Sequence, residues 1–202
     1  MSARIAIFGG AFDPIHNAHL AVARAAAQRF SLDRVLFIPT YRPPHKDITH
    51  APYEDRVRMV ELACAELNAH PASAHATRFE VSRIEAGSER SYSIDTIEKL
   101  RATLGARDEL YFLIGADAFA ELRTWHRWRD VVKLVCFVVI SRPGYEYDAP
   151  PEAKVERLDE IQLITSSTGL RRQLGESASN LDVPAPVIEY IRTNHLYARQ
   201  QN

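Results

Sequence analysis

A chain of 202 residues with 46% hydrophobic residues can bury one sizeable core, alone or with a small appendage. Its 25 Lys and Arg nearly balance its 26 Asp and Glu, which leaves no overall basic field to hold nucleic acid. No run reaches the roughly 20 apolar residues of a membrane span, and no secretory signal opens the chain, so a cytoplasmic protein without membrane contact is expected.

Ile5-Ala6-Ile7-Phe8 is an unbroken apolar run, β-branched and aromatic, and predicts a short buried strand. Gly9-Gly10-Ala11-Phe12-Asp13-Pro14-Ile15-His16-Asn17-Ala18-His19 follows, and then Leu20, Ala23, Ala27 and Phe30 recur at helical spacing. A glycine-rich turn from a strand into a helix gathers unpaired backbone N–H groups and the positive end of the helix dipole. That suits a phosphate. His16 and His19 both face such a pocket, can hydrogen-bond phosphate oxygens and, if protonated, offset their charge. A metal pair is the rival reading, but zinc takes three or four protein ligands. No further ligand falls at useful spacing nearby, and no metal site is expected.

Arg34 to Pro39 predicts a second buried strand, which completes a βαβ unit and implies a parallel sheet. The two-proline segment Thr40 to Lys46 then lies where a crevice loop should, at a strand's carboxyl end. Pro52 is expected in the first turn of a helix whose stripe is Tyr53, Val57, Val60, Cys64 and Leu67. Asn68 to Thr77 reads as a loop with His70 and His75 exposed, and Arg78 to Ser82 as a third strand. Cys64 and Cys136 lie far apart in apolar segments and read as buried reduced thiols.

Ser93 reads as the N-cap of a helix carrying Ile94, Ile97, Leu100 and Leu104. Glu109 to Ile114 predicts the strongest strand, ended by Gly115-Ala116-Asp117. Asp117 there can bond a ribose hydroxyl or cap the next helix. Trp125-His126-Arg127-Trp128 is an aromatic-rich turn, with a further strand expected over Leu134 to Ile140. Residues 145 to 157 read as a surface loop, with a last strand near Ile161 to Ile164. The hydroxyl run Thr165-Ser166-Ser167-Thr168 at a helix entrance can donate to phosphate, and Arg171 adds charge one turn inside. A closing helix is expected over Pro184 to Leu196. Alternating strands and helices, with ligand-type residues at strand ends, predict an α/β fold: a doubly wound parallel sheet.

The stretch from Gly9 to His19 resembles the nucleotidyltransferase superfamily signature that ends in H-x-G-H. Its fuller wording, G-G-x-F-D-P-x-H, is similar to that of the bacterial nicotinate-mononucleotide adenylyltransferases. Thr165 through Arg171 resembles the superfamily's second signature, I-S-S-T-x-I-R, and the likeness spans nearly the whole chain. Ala11 stands where the family commonly has threonine, Ala18 where it has glycine, and Thr165 and Leu170 where it has isoleucine. A methyl at Ala18 implies a slightly displaced nucleotide, and Gly169 a looser first turn.

The resemblance implies a Rossmann-like nucleotide-binding domain over residues 1–165 and a small helical C-terminal subdomain over 166–202, in one compact unit. It further implies transfer of the adenylyl group of ATP to nicotinate mononucleotide, giving deamido-NAD and pyrophosphate, with Mg²⁺ riding on the triphosphate. His16, His19 and Arg171 would be the catalytic groups. ATP would meet Gly9, Gly10, Ala11, Phe12, Gly115, Asp117, Arg142, Ser166, Ser167 and Thr168. The mononucleotide would meet Lys46 and backbone N–H groups at Ser93 and His126, with Trp125 stacking on the pyridine ring and Trp128 packing structurally. Rival readings are a phosphopantetheine or nicotinamide-mononucleotide adenylyltransferase, and, in another class, a non-catalytic nucleotide sensor. A homo-oligomer is left open.

Overall fold

The structure is a computed structural model that describes residues 2–42, 49–71, 75–141, 146–159, 167–175 and 181–198. His45, Lys46, Arg142, Thr165, Ser166 and the strand expected near Ile161 to Ile164 lie outside the described residues. Six strands form one parallel sheet: β1 (Arg4–Gly10), β2 (Arg34–Pro39), β3 (Arg78–Val81), β4 (Glu109–Gly115), β5 (Cys136–Ile140) and β6 (Lys154–Leu158). Their order is β3-β2-β1-β4-β5-β6, the doubly wound arrangement expected from the sequence.

The strands are apolar on both faces because both faces are covered. Ala6, Phe8, Val35, Phe37, Leu113 and Val138 point to one side. There they meet α1 (Asn17–Arg29), α2 (Tyr53–Ala69), α6 (Ser167–Gly175) and α7 (Ala185–Thr193). The alternate residues Ile5, Ile7, Leu36, Ile38, Phe112 and Val139 point to the other, onto α3 (Ser93–Arg101), α4 (Ala116–Ala120) and α5 (Trp128–Leu134). Trp128 packs against this second cluster as expected. Cys64 is buried, and burial pushes its thiol up to about 12.

Five local expectations are corrected. Ser93 is not a cap: Tyr92 holds the N-cap position and Ser93 is the first helical residue. Asp117 does not cap either, since Gly115 precedes the helix and Asp117 is its second residue. Pro52 takes the N-cap place outside the first turn of α2, in extended backbone that its ring accommodates. Leu134 ends α5, so the strand begins only at Cys136, and the supposed loop of 145–157 contains most of β6. That strand escapes notice because it is a charged edge strand, with Leu158 its one buried residue.

Candidate active site

In the order β3-β2-β1-β4-β5-β6 the winding reverses between β1 and β4, and the crevice at their carboxyl ends is the place for a ligand. Gly9 and Gly115 lie there. A Cβ built on either would meet no protein atom within 4 Å, so both backbones border open space. Gly10 differs: its Cβ would stand 3.2 Å from the Phe12 ring. Phe12 itself has φ 47°, in the left-handed region a bulky residue rarely takes. Its ring is 2% exposed and packs on Phe8, Phe37 and His19. The side chain of Phe12 is therefore core, and what it can offer the crevice is backbone.

His16 and His19 come together at the start of α1, with ring centroids 3.7 Å apart. The His16 backbone N–H donates to His19 Nδ1 at 3.2 Å. A neutral His19 thus carries its proton on Nε2, where it can donate. Burial pushes His19 well below its ordinary value, helped by the neighbouring His16. Burial likewise pushes His16 down to about 4, against the opposing pull of Asp182. Both imidazoles are neutral near pH 7 in the free protein, so they approach an anion as neutral donors and not as charges. His16 Nδ1 is buried and has no hydrogen-bond partner among the described residues, a valence left for a ligand.

Below its unfolded value of 6.5 the folded protein resists charging His16. Stability from this source is full above that pH and is lost as pH falls towards about 4. Thermal midpoints between pH 7 and pH 4 are expected to fall more steeply for the wild type than for His16→Gln. The slope difference approaches one proton's worth, ~1.4 kcal/mol per pH unit. Equal slopes would show that another group drives the acid loss.

The C-terminal signature arrives at the same loop. Ser167 Oγ donates to the Pro14 carbonyl at 3.3 Å, and Arg171 Nη1 donates to the Asp13 carbonyl at 2.7 Å. Arg171 Nη2 also reaches Thr168 Oγ1 at 3.2 Å. Residues 153 to 158 positions apart in sequence are thereby joined around Asp13 and Pro14. A cavity of about 510 Å³ opens beside this junction, lined by His50, Thr168, Arg171, Arg172, Tyr197 and Ala198.

Across the crevice, Ser93 opens α3 and Trp125 is half-buried, its ring 5.8 Å from Phe112. The exposed His126 ring lies 4.6 Å from the ring of Tyr92, so the turn that carries His126 packs on the residue preceding Ser93. Asp117 is exposed at the end of β4 beside Gly115.

Three residues of the site escaped the sequence reading. Asp13 is 4% exposed and accepts from the His50 and Ala51 backbone N–H groups at 2.7 and 3.0 Å and from the Tyr197 hydroxyl at 2.7 Å. Burial alone would raise its carboxyl, but the His50 N–H, the Tyr197 hydroxyl and the Ala51 N–H, with the Arg171 charge, hold it below the usual value. Arg56, 1% exposed, donates to the carbonyls of Ala51, Ala11 and Thr40. A signal for it existed, since Arg56 stands three after Tyr53 and four before Val60, on the apolar stripe. Nothing local marks Tyr197.

The cytidylyltransferase-like family matches residues 7–176. A protein of Solibacter usitatus described as a "probable nicotinate-nucleotide adenylyltransferase" is 56% identical over 96% of this chain and 99% of its own length. One so described from Thermus thermophilus is 41% identical over 96% of this chain and 99% of its own length. Among solved structures, Plasmodium falciparum nicotinic acid mononucleotide adenylyltransferase complexed with NaAD superposes with a TM-score of 0.77. It is 19% identical and is matched over 96% of this chain and 97% of that one, a likeness of fold.

Proposed function

The chain belongs to the nicotinate-nucleotide adenylyltransferases, within the cytidylyltransferase-like family, and we propose that its crevice joins the adenylyl group of ATP to nicotinate mononucleotide. The observation that supports this most is the meeting of the two phosphate-type signatures at Asp13 and Pro14, through Arg171 and Ser167. A nucleotide sensor needs no such convergence on the leaving end of a triphosphate. A phosphate oxygen of the mononucleotide attacks the α-phosphorus of ATP and forms the new P–O bond. The bond from the α-phosphorus to the bridging oxygen breaks, and its electron pair leaves with pyrophosphate. No protein nucleophile takes part, so catalysis rests on positioning and on donors aimed at developing charge.

His16 and His19 hold the oxygens around the α-phosphorus as neutral donors. Ser166, Ser167, Thr168 and Arg171 hold the β- and γ-phosphates that leave, where each charge-assisted bond is shorter and stronger than a neutral one. Gly9, Gly10, Ala11, Gly115, Asp117 and Arg142 serve the rest of ATP, and Lys46 the incoming phosphate. Mg²⁺ enters with ATP, as part of the substrate, and offsets phosphate charge. Among the described residues no three His, Cys, Asp or Glu side chains cluster to hold a metal. Both Asp13 carboxylate oxygens already accept donors. No helix among the described residues is long and apolar enough to cross a membrane.

The acceptor is chosen at the Ser93 and His126 backbone N–H groups, which donate and cannot accept. A nicotinate carboxylate takes both bonds, and its charge strengthens them. A nicotinamide presents its NH₂ to one donor and leaves it unsatisfied, at about 1–3 kcal/mol, or roughly ten- to hundredfold in kcat/KM. Trp125 stacking serves both rings, so Trp125→Ala is expected to weaken both and leave their ratio nearly unchanged. Pyrophosphate release from ATP, assayed with nicotinate mononucleotide, nicotinamide mononucleotide and phosphopantetheine, checks the assignment. Equal kcat/KM for the two mononucleotides would move it to an enzyme of dual specificity, and preference for phosphopantetheine would replace it.

A further inference from the structure

We propose that the closing segment, residues 181–197, clamps the phosphate loop Asp13–Asn17 at both ends, and that Tyr197 is a positioning residue for the transfer, acting on Arg171 through Asp13. The inference rests on the reading of the crevice as the ATP site. At one end of the loop, the Asn17 backbone N–H donates to the Asp182 carbonyl at 3.1 Å, and Asn17 Nδ2 donates to the Asp182 carboxylate at 2.9 Å. Asn17 lies between the two histidines. At the other end, the Tyr197 hydroxyl donates to Asp13 Oδ1 at 2.7 Å, while the carbonyl of that same Asp13 accepts from Arg171 Nη1.

The segment between these two contacts is itself anchored. α7 buries Val187 and Ile191, and its Tyr190 hydroxyl donates to Asp55 of α2 at 2.7 Å. The turn after α7 then bends back, with the Leu196 N–H donating to the Ile191 carbonyl at 3.0 Å. Tyr197 itself sits at φ 62°, and His195 at 52°. Bulky side chains persist in that left-handed region where their surroundings hold them, and such residues gather at sites where geometry matters. Here the unusual backbone places one phenol hydroxyl on the carboxylate that sets the loop. Burial, with the Asp13 charge and hydrogen bond, raises Tyr197 far above the ordinary phenol range, so it remains a donor at every working pH.

Arg171 has five N–H donors. One is fixed on the Asp13 carbonyl and one on Thr168, and this pins the plane of the guanidinium. A loop that turns at Asp13 would turn that plane with it, and a misplacement of about 1 Å can cost up to about a hundredfold in rate. Tyr197→Phe removes one oxygen and leaves the ring. It is expected to lower kcat/KM for ATP about tenfold, with the KM for nicotinate mononucleotide unchanged.

The decisive measurement is a double-mutant cycle of Tyr197→Phe with Arg171→Ala, read in kcat/KM for ATP and in ATP affinity by titration calorimetry, with thermal midpoints recorded alongside. If Tyr197 works through Arg171, adding Tyr197→Phe to Arg171→Ala changes either quantity less than about twofold. Losses that multiply independently would overturn the proposal. So would a Tyr197→Phe protein that melts earlier but binds and turns over ATP as the wild type does, because that is a merely structural role. Should Tyr197→Phe show no cooperative unfolding, Asp182→Ala decides through the other end of the clamp. Weaker ATP binding at an unchanged mononucleotide KM supports the proposal, and wild-type kinetics overturns it. A wild type that binds ATP but makes no deamido-NAD refutes the assigned reaction and leaves the clamp readable in the calorimetric arm. A wild type that does not bind ATP overturns both.

Discussion

His19→Ala is expected to lower kcat by about 10²–10³, equivalent to about 2.7–4 kcal/mol of transition-state stabilisation, with a far smaller change in the KM for ATP. The magnitude follows from geometry. His19 Nδ1 is occupied by the His16 backbone N–H, so the ring orientation is fixed before substrate arrives and the proton sits on Nε2. A donor held in advance costs no reorganisation at the moment charge develops. Burial, together with the nearby His16, keeps the ring neutral in the free protein. Its contribution is a placed N–H, and alanine cannot restore it. Phe8 and Phe12 also touch the ring edge, so some stability is lost too. Steady-state kinetics well below the melting temperature separates the two effects. Wild-type turnover in a folded His19→Ala protein would remove this residue from the chemistry.

Arg56→Ala is expected to be the most damaging change to the fold, at about 3–5 kcal/mol, the range for truncating a large buried side chain and orphaning the groups it bonded. The guanidinium joins the Ala11 carbonyl of the glycine turn, the Thr40 carbonyl after β2 and the Ala51 carbonyl before α2. Three chain segments at the crevice thereby share one cation. Burial lowers the Arg56 value, and the Asp13 charge opposes that shift. Without the side chain the carbonyls lose their donor in a place water reaches poorly, and a cavity of arginine size remains. A domain of this size keeps only about 5–15 kcal/mol of net stability. The variant should therefore melt far below the wild type or fail to accumulate as folded protein. Arg56→Lys is expected to recover little, because one ammonium cannot reach three divergent carbonyls as a planar fork does. A chemical denaturation midpoint close to that of the wild type would show that the three loops hold their places unaided.

What the sequence determined by itself is local and periodic. The buried runs of β1, β2 and β4 and the stripes of α1 and α2 stand out because neighbours in sequence are neighbours on one face. The run from Gly9 to His19 marks a strand–turn–helix anion site for the same reason: its chemistry is contained in one short stretch. The hydroxyl cluster before Arg171 is equally local. β6 escaped because an edge strand meets solvent along one side and keeps a polar pattern, and the caps of α3 and α4 slipped by one and two residues because several neighbours there are compatible with the helix start.

Tertiary structure decided everything that depends on who meets whom. No periodicity announces that Arg171 reaches the Asp13 carbonyl, that Arg56 holds three loops, or that Tyr197 closes on Asp13 across 184 positions. It also decided the charge of the histidines. Spacing offered two imidazoles that could be cations, but a protonation state is set by the solvent a group loses and the charges it gains, and those are fixed only when the chain has folded around it.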